Sequence, residues 1–135
     1  MTRIYLPMTT PLADTSVWVD ALRQGGTPLA DMTAKDEPIG YTQPVLMELL
    51  SGCRNDDEVW NVRRLIMRGS LLAFDVAADF EGASHVYRSS RRLGITPNNY
   101  IDCMIVAVAA RRQAQLITND RQQARIAEIF GVTVM

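Results

Sequence analysis

The run Asn99-Tyr100-Ile101-Asp102-Cys103-Met104-Ile105-Val106-Ala107-Val108-Ala109-Ala110-Arg111-Arg112, with Gln115-Leu116-Ile117-Thr118-Asn119-Asp120 close behind it, sets the architecture of this chain. Pro97 and Asn98 or Asn99 open a helix that is apolar on every side until Arg111 and Arg112, which marks it as a central helix. Gln115 to Thr118 follows as a short buried strand. One residue is out of place: Asp102 stands inside the apolar helix, and an isolated carboxylate is very costly to bury unless something neutralises it.

The same alternation of strand and helix continues in both directions. Leu12 to Asp14 reads as a buried strand, and Thr15 or Ser16 caps a helix carrying Val17, Trp18, Ala21 and Leu22 that stops at Gly25-Gly26. After a connection over residues 25–38, Ile39 to Thr42 is a second strand. Pro44 opens a helix that closes at Gly52, and Asn55 to Arg68 is another, with Val59, Val62, Leu65 and Ile66 at helical spacing. Leu71 to Phe74 is a third strand. Ala77 to Leu93 is a helix with Phe80, Ala83 and Tyr87 on one face and Gly94 as its stop; Arg121 to Phe130 is the last helix and Val132 to Val134 the last strand. This order predicts a three-layer α/β/α domain with a central, mainly parallel sheet. The 135 residues form one domain, 1–135, with residues 1–10 as a lead of unassigned structure. No apolar run approaches the roughly 20 residues of a membrane span, and the N-terminus lacks a secretory layout, so the expected location is the cytoplasm and no membrane is a partner.

Asp102 has company. Asp14 closes Pro11-Leu12-Ala13, Glu48 interrupts Val45-Leu46-Met47 and Leu49-Leu50, and Asp120 follows Leu116-Ile117-Thr118-Asn119. Taken singly, Asp14 and Asp120 can be helix caps and Glu48 can reach to solvent. Taken together, all four fall at strand ends or in early helix turns, and in an open parallel sheet both emerge at the edge where ligands bind. They are therefore predicted to converge on one or two divalent cations. Oxygen-only ligation suits Mg2+ or Mn2+, which activate water for phosphodiester displacement without a His, Ser or Cys nucleophile.

The remaining composition agrees. His85 is the only histidine, and Cys53 and Cys103 lie outside CxxC spacing and read as packed, reduced thiols. A dehalogenase-like phosphatase needs a second Asp after the nucleophile, where Thr15-Ser16 stand; a receiver domain needs a late lysine, and Lys35 is the only one; no GxGxxG or GxxxxGK[ST] occurs. The net charge of −1 is unevenly spread: from Ser84 to Met135 there are seven arginines (88, 91, 92, 111, 112, 121, 125) against Asp102, Asp120 and Glu128. Arginine forks match phosphate.

Leu12-Ala13-Asp14-Thr15-Ser16-Val17-Trp18-Val19-Asp20, Gln43-Pro44-Val45-Leu46-Met47-Glu48-Leu49-Leu50-Ser51-Gly52, Tyr100-Ile101-Asp102-Cys103-Met104-Ile105-Val106-Ala107-Val108-Ala109 and Leu116-Ile117-Thr118-Asn119-Asp120 resemble the four sequence blocks of PIN-domain ribonucleases, and more narrowly the toxins of VapBC toxin-antitoxin pairs. The resemblance implies an Mg2+- or Mn2+-dependent endoribonuclease with Asp14, Glu48, Asp102 and Asp120 as catalytic and metal-binding acids. It also implies a homodimer, transfer RNA as substrate, and a VapB-type antitoxin whose C-terminal segment fills the groove. Arg121-Gln122-Gln123 departs from the Asp and Phe with which the family often continues. The alternative function is a catalytically weak PIN-like module that binds RNA or a partner protein.

Thr15, Ser16 and Thr118 carry hydroxyls beside the acids and are expected to orient water or phosphate; Asn99 shares the face of Asp102, with helix capping as its ordinary role. Arg88, Arg91 and Arg92 share a helix face and, with Arg112, are expected to hold RNA. Their ordinary roles are a solvated helix face and, for Arg112, a favourable charge at a helix C-terminus.

Overall fold

The computed structural model describes residues 9–24 and 38–135. Most of the 1–10 lead and of the 25–38 connection lies outside the described residues. The strands are β1 (Leu12–Ala13), β2 (Gly40–Tyr41), β3 (Ser70–Leu71) and β4 (Leu116–Ile117), all parallel, in the order β3-β2-β1-β4. The helices are α1 (Thr15–Gln24), α2 (Gln43–Ser51), α3 (Asp56–Ile66), α4 (Val76–Arg92), α5 (Tyr100–Arg112) and α6 (Arg121–Ile129). Single backbone bonds lengthen the short ladders. Leu12 N–H donates to Gln115 O at 2.8 Å, Asp14 N–H to Ile117 O at 3.0 Å and Gly40 N–H to Pro11 O at 2.7 Å.

Packing explains the local choices. Leu12 and Ala13 are fully buried, and Trp18 on α1 lies beneath them with its indole N–H donating to Ala13 O at 3.1 Å. Gly40 permits the close approach of its neighbours: a Cβ there would sit 2.1 Å from Leu72 Cδ1 and 2.9 Å from Pro11 O. In α5, residues 105–109 are buried in succession, so over that stretch no side of the helix meets solvent, as its apolar sequence predicts. Gln113 ends it in the left-handed region at φ 54°.

Some expectations need correction. β3 begins at Ser70 and not Leu71, and Phe74 lies beyond it because its N–H is taken by Gln43 Oε1 at 2.7 Å. The last strand contracts to one bridge, Leu116 to Val134. On α3, Val62 and Ile66 are buried as their spacing predicts, while Trp60 is exposed. α4 is rotated from the expected face: it buries Asp79, Ala83, Val86 and Ser90, while Phe80 stays outside, edge-on to Phe74. The cause is an ion pair. Asp79 is 2% exposed and receives Arg111 Nε and Nη2 on its two oxygens, each at 2.9 Å, while Nη2 also donates to Ala73 O at 2.7 Å. This fork pins α4 antiparallel to α5, with Tyr87 on Tyr100 at the other end, ring centroids 5.2 Å apart.

Asp79 is buried and Arg111 is partly exposed, so removing the arginine leaves an uncompensated buried carboxylate, whereas removing both partners does not. Arg111→Leu should therefore destabilise the fold by about 3 kcal/mol, read as a lower urea midpoint, and joint replacement with Asp79→Leu should recover most of the loss. A single Arg111→Leu variant as stable as the parent would show that the pair does not set the helix rotation.

Candidate active site

The sheet order creates the site. From β1 the chain passes to β2 on one side, while β4 returns on the other, so the switch in strand order lies between β1 and β4. Ligand crevices in parallel sheets open at such a point, beyond the carboxyl ends of the strands. Asp14 follows β1 there and Thr118 follows β4.

The two are locked together. Asp14 is 3% exposed; its Oδ1 accepts Ser16 Oγ–H and its Oδ2 accepts Thr118 Oγ1–H, both at 2.5 Å. Ser16 Oγ in turn accepts Asn119 N–H at 3.1 Å, and Thr118 Oγ1 accepts Asp120 N–H at 3.0 Å. Burial raises the Asp14 carboxyl above its ordinary value, and the two hydroxyls and the Val17 and Ser16 amides pull it back down. Ser16 and Thr118 thus stand beside Asp14 as its direct hydrogen-bond partners. The Thr15 hydroxyl is also buried, with no hydrogen-bond partner among the described residues.

The other three acids reach the same crevice from three helices. Asp102 stands in the first turn of α5, and its carboxyl is pushed up to about 6, first by burial and then by the negative charges of Glu48, Asp120 and Asp14. Each of the three acts on Asp102, which places Asp102 at the middle of the acidic group. Asp120 caps α6, its Oδ1 accepting Gln122 N–H at 2.9 Å and Gln123 N–H at 3.2 Å. Capping and membership of the acidic group are therefore compatible. Glu48 is half-buried on α2. Asn99 is an N-cap, its Oδ1 accepting Asp102 N–H at 2.8 Å, so it acts on the backbone of Asp102.

Among the described residues no three His, Cys, Asp or Glu side chains close tightly on a single ion position. The four acids form a looser, all-oxygen group around Asp102. That form suits a cation which keeps several waters and takes one or two carboxylates, as Mg2+ does, and the charge repulsion at Asp102 is the kind a divalent cation relieves. The donor set fits Mg2+ or Mn2+.

Neither Cys103 nor His85 offers a ready nucleophile. The Cys103 thiol is buried and pushed up to about 11, and His85 is exposed against the Phe130 ring at 5.7 Å. Arg88, Arg91 and Arg92 end α4 beside Tyr100, hence at the Asp102 end of the helix pair; Arg91 lies 5.8 Å from the centre of the Tyr87 ring. Arg112 lies at the opposite end of α5, about 15 Å along the axis from Asp102, so the structure does not bring it to the acids. A cleft of about 370 Å3 lined by Ala110, Gln113, Gln115, Phe130 and Thr133 opens at the other edge of the sheet, with no ionisable lining residue. Two residues escaped the sequence reading: Gln122, whose Nε2 donates to Thr96 O at 3.0 Å, and Gln123, whose Nε2 donates to Asp102 O at 2.9 Å. Only the break in amphipathic pattern caused by a buried glutamine on α6 could have signalled the second.

Residues 12–129 match the family described as PIN domain. Ribonuclease VapC11 of Mycobacterium tuberculosis is 34% identical over 126 residues, covering 90% of this chain and 94% of that protein, and VapC ribonuclease Mb1587 of Mycobacterium bovis gives the same figures. Among solved structures, DNA-bound VapBC from Salmonella typhimurium is similar with a TM-score of 0.79 at 21% identity, covering 95% of this chain and 98% of that one. VapBC-1 from nontypeable Haemophilus influenzae gives a TM-score of 0.75 at 15% identity, covering 94% and 97%.

The raised Asp102 carboxyl carries a stability consequence. Between its ordinary value of 3.8 and about 6 the folded protein binds the proton that the unfolded chain has released, so stability falls as pH rises through that window and the full penalty persists above it. Allowing for solvent screening of this partly exposed group, the penalty is about 1 kcal/mol. In metal-free protein, Asp102→Asn should therefore raise the melting temperature at neutral pH and leave it unchanged near pH 4; an equal change at both pH values would contradict the assignment.

Proposed function

The chain belongs to the PIN-domain family, among the VapC ribonucleases, and from that premise we propose that it is a metal-dependent endoribonuclease toxin held in check by a VapB-type antitoxin. The observation that carries the reading is the placement of Asp102 within the field of Asp14, Glu48 and Asp120 at the switch point of the sheet. Among the described residues no His or Cys is suited to act at the crevice, and four carboxylates are what would hold an electrophile in its place.

Asp14, Glu48, Asp102 and Asp120 would hold Mg2+ or Mn2+, which when bound supplies water activation and charge stabilisation for phosphodiester cleavage. The chain's own residues do the rest. Ser16 and Thr118 fix both oxygens of Asp14, which removes its rotational freedom. Capping of α6 uses Asp120 Oδ1, leaving Oδ2 as its donor. Asn99 holds the first turn of α5 and so the position of Asp102. Arg88, Arg91 and Arg92, at the same end of the α4 and α5 pair, would take the RNA backbone.

Transfer RNA is the proposed substrate, a homodimer the proposed assembly and the cytoplasm the proposed location. No helix among the described residues is long and apolar enough to cross a membrane. An antitoxin that sets a basic side chain against the acids would compete with the cation, since both neutralise the same group.

The test is cleavage of total transfer RNA by antitoxin-free protein, with Mg2+ or Mn2+ and with chelator. Asp14→Asn and Asp102→Asn should each lower the rate on the order of 100-fold or more, the scale of losing one charge-stabilising group, while keeping the fold. Undiminished cleavage by a properly folded Asp102→Asn protein would remove the proposal.

A further inference from the structure

We infer that Gln123 is a positioning residue that fixes Asp102 relative to Asp120. The inference rests on the reading that these acids hold a divalent cation, and it concerns a residue outside the acidic group.

Gln123 touches both acids. Its backbone N–H donates to Asp120 Oδ1 at 3.2 Å, and its side-chain Nε2 donates to Asp102 O at 2.9 Å. It does so while 2% exposed, in the first turn of α6. Asp102 O belongs to the first turn of α5 and has a second lone pair beyond the one used in the helix, so the amide adds a contact without breaking the helix bond. The amide must face Asp102 O with its nitrogen, because a carbonyl offers no proton.

The other end of the same amide is the informative one. Gln123 Oε1 is buried with no hydrogen-bond partner among the described residues. An orphaned buried acceptor opposes folding, and a methionine of equal length would fill the space without it. Packing alone therefore does not call for glutamine here. What glutamine adds is the tie between α6, whose N-cap is Asp120, and α5, which carries Asp102. Gln122 Nε2 reinforces the tie by donating to Thr96 O at 3.0 Å, in the segment leading into α5. Two metal-binding acids on different helices keep a constant separation only if the helices are coupled, and partners behind ligands set affinity by holding them in place.

Gln123→Met is the deciding variant. Metal-free, it should melt at or above the temperature of the parent, since the orphaned oxygen is gone. Titrated with Mn2+ in a thermal-shift assay without RNA, it should need about 10-fold more metal for half-maximal stabilisation, and on RNA kcat should fall while KM stays within about twofold. Gln123→Glu, which turns the donor into an acceptor facing Asp102 O, should lose more. A purely structural role gives the opposite pattern: a lower melting temperature with the Mn2+ midpoint unchanged, which would overturn the inference. Should Gln123→Met fail to fold, Gln123→Leu is read the same way, and failure of both assigns the side chain to the core. Because the Mn2+ titration needs no RNA, a parent protein that binds Mn2+ but cuts no RNA would end the ribonuclease reading and leave this one standing.

Discussion

Asp14 is the constraint on which the rest of this structure depends. It is almost wholly buried at the end of β1, and its carboxylate is clamped between Ser16 on the helix that follows and Thr118 at the end of β4. That clamp crosses the one place where the sheet reverses its strand order, so it joins two parts of the chain 104 positions apart. A buried carboxylate is tolerable only with strong partners. The two hydroxyls supply them, and in doing so they bring the Thr118-Asn119-Asp120 turn, with the next acid, to the same crevice.

The molecule handles two kinds of buried acid in opposite ways. Asp79 is as deeply buried as Asp14, yet it is neutralised within the chain by the Arg111 fork, and its role is to fix how α4 lies on α5. At the crevice no such cation stands against Asp102 among the described residues. Asp102 is left beside three like charges and its carboxyl rises to about 6. The described fold thus leaves like charge beside Asp102 at its ligand-binding edge while satisfying an equivalent charge at Asp79, and perturbed carboxyls of this kind mark functional sites.

The alternation of elements was legible because its signals are local. Asn55, Asn99 and Asp120 cap helices as their side-chain chemistry suggests, and the all-round apolar character of α5 could only belong to a central helix. The acids were legible as polar residues in apolar company. Asp79 was missed by the same reasoning, since its neighbours Ala78 and Phe80 resemble those of Asp102, and its partner lies 32 positions away. Pairing at that distance leaves no trace in local pattern. Gln123 was missed for a similar reason, because its side-chain contact is made across helices, and the distance of Arg112 from the acids was not legible because the direction of α5 relative to the crevice follows from packing and not from charge.

The measurement that tests this account most directly is paramagnetic broadening of backbone amide resonances by substoichiometric Mn2+ in nitrogen-15-labelled, antitoxin-free protein. The account predicts that the amides of Asp14, Glu48, Asp102, Asn119 and Asp120 broaden first and together, while those around Asp79 and Arg111 remain sharp. Broadening centred instead on the exposed acids Asp56, Asp57 and Glu58 at the start of α3, or spread evenly over the surface, would contradict it.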